Sequence, residues 1–122
     1  MAHKSQTWLS QEIARLESLY AKRVRDLPRA NSFRQVLLLA TVPARPEMRT
    51  LPLRGRKLLE KAVLTRLAEL ANLRVESLEQ APKAARQALA DAILRDAALL
   101  EARYAWLHRQ VRTEVARRMQ DA

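Results

Sequence analysis

Arginines are concentrated in a proline-rich stretch near the middle of the chain, and their chemistry suggests a ligand. Residues 41–57, TVPARPEMRTLPLRGRK, which we call the strap, contain five cations and one acid. The cations are Arg45, Arg49, Arg54, Arg56 and Lys57. A guanidinium presents a planar fork of donors that binds phosphate bidentately, and it loses water more easily than an ammonium. The strap is therefore predicted to contact phosphate groups or another polyanion.

A second basic pattern precedes the strap, on a helix predicted from about residue 6 to residue 27. Its apolar residues recur in steps of three and four and predict one buried stripe: Leu9, Ile13, Leu16, Tyr20, Val24 and Leu27. Arg15, Lys22, Arg25 and Arg29 follow the same spacing on another face, so this helix is predicted to be amphipathic with a basic ridge. A charged helix face is often only solvated, and the ridge alone leaves that interpretation open.

The predicted nucleic-acid contacts combine the ridge and the strap with their basic neighbours. They are Arg15, Lys22, Arg23, Arg25, Arg29, Arg34, Arg45, Arg49, Arg54, Arg56, Lys57 and Lys61. Cations at this density repel one another without a counter-anion. The predicted partner is the phosphate backbone of double-stranded DNA, contacted without reading bases. RNA stays open, although an aromatic content of 4% argues against recognition by base stacking.

The distribution of charge supports this division of the chain. The net charge is +10, and residues 1–61 carry 13 Lys and Arg against 5 Asp and Glu. Residues 62–122 carry ten against eight, so most of the excess lies in the first half. The cations are 18 Arg and 5 Lys. A codon bias could explain the preference for Arg, but it does not explain why the excess charge lies in one half.

The elements that hold these residues are predicted to be helices. Good helix formers dominate, and one glycine in 122 residues leaves few tight turns. A short second helix is predicted to begin after Asn31 or Ser32 as N-cap, although the run QVLLLATV also fits a buried strand. The three prolines of the strap, Pro43, Pro46 and Pro52, predict an extended segment that can reach about 40 Å.

The C-terminal half is predicted to be a long-helix hairpin or bundle. A third helix spans about residues 56–79, and Pro82 suits the first turn of a fourth. One apolar stripe is predicted to line one side of the third helix: Leu59, Val63, Leu67, Leu70, Leu73 and Leu78. The fourth helix would be about 58 Å long if unbroken to residue 120. It therefore either breaks near Asp96 or Arg109, or packs part of its apolar stripe on another chain. The predicted interface residues are Leu89, Ile93, Leu100, Tyr104, Leu107, Val111 and Val115.

Several functional classes lack the residues they need. The chain has no cysteine, and its two histidines, His3 and His108, have no partners at ligand spacing. We therefore expect no catalytic residue, no metal site and no cofactor, and the protein is not predicted to be an enzyme. The start of the sequence lacks the apolar core of a signal peptide, and the run VLLLATV is too short to span a bilayer.

These features together define a layout: an all-α fold with a basic N-terminal helical arm and strap (1–57) and a helical association domain (58–122). This layout resembles the helical major coat proteins of filamentous viruses of hyperthermophilic archaea, in architecture and composition over the whole chain. The resemblance implies a coat subunit, paired with itself or a paralogous subunit as a dimer, that wraps double-stranded DNA. The expected location is the virion if the protein is viral, and otherwise the cytoplasm. Two alternatives are a dimeric helical DNA-binding regulator and a helical adaptor for an acidic protein or an anionic membrane.

Overall fold

The computed structural model describes residues 2–49 and 53–120, with side chains from Thr7 onward. Every regular element in these residues is helical, which confirms the predicted all-α class. The α-helices are α1 (Ala2–Asp26), α2 (Phe33–Ala40), α3 (Arg54–Gln80), α4 (Arg86–Ala97) and α5 (Ala105–Gln120). Short 3₁₀ turns occupy Leu27–Arg29, Pro46–Met48, Lys83–Ala85 and Ala98–Leu100.

The N-terminal boundaries follow from local capping and proline chemistry. α1 ends at Asp26, and Pro28 lies in the first turn of the 3₁₀ segment that follows, where its missing N–H costs little. Ser32 caps α2, because its Oγ accepts a hydrogen bond from the Gln35 N–H at 3.2 Å. The helix predicted after Asn31 or Ser32 is thus present, and the alternative of a buried strand is wrong.

The strap is more compact than the sequence suggested. Its last four residues form the first turn of α3, which begins at Arg54 rather than at the predicted residue 56. The earlier part is extended up to Arg45 and then makes the 3₁₀ turn Pro46–Met48, whose Met48 side chain is 1% exposed. Pro52 lies outside the described residues. Burying Met48 fixes the described part of the strap against the helices, so the predicted reach of about 40 Å is not used here.

α3 is the central helix, since α1, α2, α4 and α5 all contact it. α1 and α3 lie side by side and run in the same direction. Gly55 near the start of α3 lies against Tyr20, whereas Arg66 further along donates two hydrogen bonds to the Ala30 carbonyl, just beyond α1. α5 also runs parallel to α3, because Arg103 pairs with Glu60 near one end of α3 and Arg118 pairs with Glu79 near the other.

The buried face of α3 turns as the helix changes neighbours. Leu59, Val63, Leu67 and Leu70 are buried as predicted, but Leu73 is 57% exposed. Leu78 is buried as predicted, and Ala71 and Val75, which the predicted stripe left out, are buried too, on the part of α3 that packs against α4 and α5. The predicted single stripe missed this shift because it assumed one partner surface for the whole helix.

The predicted long C-terminal helix breaks close to Asp96, in one of the two places expected. The chain passes from α4 through the 3₁₀ turn Ala98–Leu100 into turns at residues 101–103, without Gly or Pro. The Tyr104 N–H donates to the Leu100 carbonyl at 2.7 Å, and both side chains are buried. The break lets α5 pack on both α3 and α4, which buries more apolar surface than one straight helix could.

One continuous core joins the two predicted parts of the chain. Leu16, Tyr20 and Val36 from the first part cluster with Val63, Ile93 and Val111 from the second. The boundary predicted between residues 57 and 58 falls inside α3. The described helices therefore form a single packed unit, and the functional division of the chain stays a prediction.

Gly55 allows the close approach of α1 and α3. A methyl group at this position would lie 2.8 Å from Cβ of Tyr20 and 2.8 Å from Oε2 of Glu17. Its φ is not positive, so the residue is needed for space rather than for a special backbone conformation. We predict that Gly55→Ala lowers the free energy of unfolding by about 1–3 kcal/mol, although alanine is the better helix former. Urea unfolding followed by circular dichroism measures the change.

Asn72→Ala is the matched control for the substitution at Gly55. Asn72 is exposed on α3, so alanine there adds helix propensity and should leave stability equal or slightly higher. A Gly55→Ala protein as stable as the Asn72→Ala protein would contradict the close approach of α1 and α3.

Candidate nucleic-acid interface

Most of the twelve predicted nucleic-acid contacts are exposed cations without a partner. The side chains of eight of them make no hydrogen bond and no ion pair within the described residues: Lys22, Arg25, Arg29, Arg34, Arg49, Arg54, Lys57 and Lys61. All eight are exposed. A fully hydrated cation with no acid nearby is available to an external anion at little cost in desolvation.

Six of these cations form two short rows on neighbouring helices. The first row is Lys22, Arg25 and Arg29 on α1 and the 3₁₀ turn that follows it. The second row is Arg54, Lys57 and Lys61 on α3. In α1 and α3 these side chains lie on the side opposite the buried Leu16, Tyr20 and Leu59. We call them the cationic rows.

Arg34 and Arg49 lie apart from the cationic rows. Arg34 is on the exposed side of α2, next to Gln35 and opposite the buried Phe33 and Val36. Arg49 follows the 3₁₀ turn of the strap and lines a cavity beneath it. The structure therefore does not gather all the predicted cations on a single face.

Two of the remaining predicted contacts attach the strap to α1. Arg15 pairs with Glu12 at 2.5 Å and also donates to the Pro43 carbonyl at 3.3 Å. The hydrogen bond from Arg15 lowers the pKa of the Glu12 carboxyl below its ordinary value. Arg45 stacks over the Trp8 ring, with the guanidinium carbon 4.5 Å from the ring centroid.

Arg56 and Arg23 complete the twelve predicted contacts. Arg56 donates from Nη2 to the Met48 carbonyl at 2.9 Å, which joins α3 to the turn of the strap. Arg23 is half-buried, and its Nε has no hydrogen-bond partner. Sequence reasoning treated Arg15, Arg45 and Arg56 as ligand contacts only and missed that they hold the strap.

The C-terminal half balances its arginines with carboxylates. Arg66 pairs with Glu69 and Arg74 with Asp96. Further pairs join Arg103 to Glu60, Arg117 to Glu114 and Arg118 to Glu79. In the described N-terminal part the only such pair joins Arg15 to Glu12, so the asymmetry of charge in the sequence is also an asymmetry of pairing.

Most residues of the predicted association stripe lie in the core of the chain. Ile93, Leu100, Tyr104, Leu107, Val111 and Val115 are each at most 3% exposed, and Leu89 is half-buried. Their burial within one chain accounts for the apolar pattern without a second copy. Association of two chains through this stripe stays a prediction.

An apolar groove runs between α1 and α3 beside the cationic rows. Val24, Leu27, Pro28, Leu58 and Ala62 line it, and Lys61 and Arg66 flank it. Its volume is about 360 Å³, and Leu58 is 51% exposed in it.

Among the described residues no group of three or more His, Cys, Asp or Glu could hold a metal ion. Nor is any described helix long and apolar enough to cross a membrane.

Comparison with known proteins identifies no relative. No family model, no curated protein and no solved structure matches the chain.

The phenol of Tyr104 makes stability depend on pH in the alkaline range. Burial raises the pKa of Tyr104 above its ordinary value, and the Glu60 carboxylate, which accepts the phenol hydrogen bond at 3.4 Å, adds to the rise. The folded state therefore keeps this proton at a pH where the unfolded chain loses it. Stability contributed by the phenol is complete below pH ~10 and is lost as pH rises through the raised pKa.

We predict that the stability advantage of the native chain over Tyr104→Phe shrinks between pH 9 and pH 11, a range chosen to bracket the ordinary tyrosine value of about 10. Urea unfolding of both proteins across this range gives the difference. Tyr20 is present in both proteins, so its contribution cancels. A difference in free energy of unfolding that stays constant from pH 9 to pH 11 would contradict the raised pKa.

Proposed function

We propose that this protein binds double-stranded DNA through its phosphates, without reading sequence, and acts as a structural or packaging protein rather than an enzyme. The observation that carries the proposal is the pair of cationic rows, six exposed cations without an intramolecular partner on two adjacent parallel helices. Contacts to phosphate fix a protein on a duplex without carrying sequence information.

The spacing of the rows suits a duplex. Each row spans eight residues, or seven steps of the helix, and therefore about 10 Å along a helix axis. Packed helices lie about 8–10 Å apart. A duplex carries one phosphate per ~1.7 Å of axis and so has about six over this length. Six cations spread over this length can therefore neutralise a comparable number of phosphates.

The aromatic residues of the N-terminal half support binding without base readout. Tyr20 and Phe33 are buried in the core, and Trp8 is stacked against Arg45. Tyr20 and Phe33 therefore offer no ring face for stacking on a base, and Arg45 occupies one face of Trp8; base stacking is the usual mode of recognition of single-stranded nucleic acid. A duplex bound through its backbone does not need a free ring face.

Packaging requires many copies of the protein to assemble on one duplex. The coat-subunit role implied by the resemblance needs an interface between copies, whereas most of the predicted stripe is already used in the core. Exposed apolar side chains remain at Leu73 on α3 and Trp106 on α5, at 57% and 49% exposure. Electron microscopy of protein mixed with long duplex DNA tests this part, because a coat subunit forms regular filaments.

The adaptor function has one observation in its favour, the apolar groove between α1 and α3. An amphipathic helix with an acidic flank could place apolar side chains on Leu58 and Ala62 and a carboxylate near Lys61. The groove and the rows share Lys61, so both functions use part of the same surface. Leu58→Gln separates them, because it should weaken a protein partner and leave DNA affinity unchanged.

We predict that neutralising three row cations lowers the dependence of DNA affinity on salt. With about six phosphate contacts, log affinity falls against log salt with a slope of about −5, and the triple variant Arg25→Gln, Arg54→Gln, Lys61→Gln should give about −3. Two duplexes of unrelated sequence should bind equally. Fluorescence anisotropy across a salt series measures both properties.

The matched control neutralises three cations of the C-terminal half, in Lys83→Gln, Arg95→Gln, Arg112→Gln. These residues are also exposed and also lack a partner among the described residues, so the net charge changes equally. The control should keep the slope of the native chain. Equal slopes for the two triple variants would end the proposal, and a thousandfold preference for one duplex would favour the regulator.

A further inference from the structure

A cavity beneath the strap brings together three guanidinium groups from distant parts of the sequence. Arg49 comes from the strap, Arg56 from the first turn of α3, and Arg103 from the turn between α4 and α5. The only acid in its lining is Glu60. The cavity therefore carries more positive than negative charge, on side chains that only the folded chain places together.

Each of the three arginines keeps donors for a ligand. Arg49 has no partner among the described residues. Arg56 uses Nη2 for the Met48 carbonyl, and Arg103 uses Nη2 for Glu60 at 3.1 Å. A guanidinium has five N–H donors, so most of them are left over on both. Because Met48 is buried, its carbonyl holds Arg56 in place before any ligand arrives.

The remaining wall of the cavity is largely apolar and comes from the strap and the core. Ala40, Val42 and Ala44 line one side, and Tyr20 and Leu59 line the other. The volume is about 340 Å³, which lies at the small end of the usual range for ligand pockets, about 300–1,000 Å³. An apolar wall strengthens charge-assisted hydrogen bonds to an anion, because the local dielectric constant is lower than in water.

We propose that this cavity is a binding site for a single phosphate group. The three guanidinium groups that line this cavity carry planar forks of donors, with which arginine binds the oxygens of a phosphate bidentately. Glu60 does not oppose this role directly, since Arg103 and the Tyr104 phenol both bind its carboxylate. The phosphate comes either from a small free molecule or from the backbone of a nucleic acid. The site does not rest on the function of the cationic rows, because Arg49, Arg56 and Arg103 are outside them.

Calorimetric titration with inorganic phosphate and with pyrophosphate tests the site, at constant ionic strength in a phosphate-free buffer. The native chain should bind one equivalent. Arg49→Gln and Arg103→Gln should each weaken binding about tenfold or more, because each removes charge-assisted hydrogen bonds. The Arg49 side chain is exposed and makes no hydrogen bond or ion pair in the described residues, so its substitution removes no such bond and keeps the test decisive.

Two further variants separate the cavity from general electrostatic attraction. Arg95→Gln removes one exposed, unpartnered cation on α4 and should bind pyrophosphate like the native chain. Ala44→Met keeps every charge but fills part of the cavity, and it should abolish binding. Equal affinities for the native chain, Arg49→Gln and Ala44→Met would overturn the proposal, as would the absence of any binding to the native chain.

Competition with a short duplex distinguishes the two sources of phosphate. If the cavity takes a backbone phosphate, pyrophosphate competes with the duplex, and Arg103→Gln weakens duplex binding as well. If the cavity takes a free phosphate, pyrophosphate does not displace the duplex, and Arg103→Gln does not weaken duplex binding. Both results support the site. Arg49→Gln and Ala44→Met leave all six row cations in place, so failure of DNA binding through the rows leaves the comparison of these variants with the native chain unaffected.

Discussion

The contact between α1 and α3 is the interaction on which the rest of this surface depends. It brings two rows of like charge beside each other, and apolar packing must overcome their repulsion. Two unit charges about 10 Å apart in water repel by about 0.4 kcal/mol, and salt at 0.15 M reduces this further because the Debye length is ~8 Å. Burial of Leu16, Tyr20 and Leu59 contributes about 1.5–3 kcal/mol for each large side chain. The packing term is larger, provided that Gly55 keeps the helices close.

The strap gains its shape from arginines as much as from prolines. Prolines prevent an α-helix over residues 41–53, but they do not determine where the segment lies. Its position follows from the hydrogen bonds of Arg15 and Arg56 to backbone carbonyls, and from the burial of Met48. Closing the strap over α1 and α3 creates the cavity beneath it. The sequence suggested that this segment extends to bind a ligand, whereas its described residues pack against the helices and line the cavity.

The sequence predicted the helices well and their partners poorly, for physical reasons. The cap at Ser32 depends on local chemistry, and the break near Asp96 depends on helix length. The structure contains both features. The exposure of Leu73 and the burial of Met48 depend on which helices lie nearby, and a periodic pattern does not contain that information. At the candidate site, local charge predicted which side chains are cationic. It did not predict that Arg103 lines the same cavity as Arg49 and Arg56, because about fifty residues of chain separate Arg103 from the other two.

Lysine and arginine have different roles on this surface, which follow from their chemistry. Every described cation that donates a hydrogen bond to a backbone carbonyl is an arginine, as Arg15, Arg56 and Arg66 show. These contacts need the fixed, planar geometry of a guanidinium. In the cationic rows, by contrast, three of the six residues are lysines, although the chain has only five. A lysine supplies a mobile point charge, which adapts to phosphates at varying positions and suits binding that ignores sequence. The arginine-rich cavity beneath the strap has the opposite character, since Arg56 and Arg103 are each held by a hydrogen bond and favour one anion of fixed geometry.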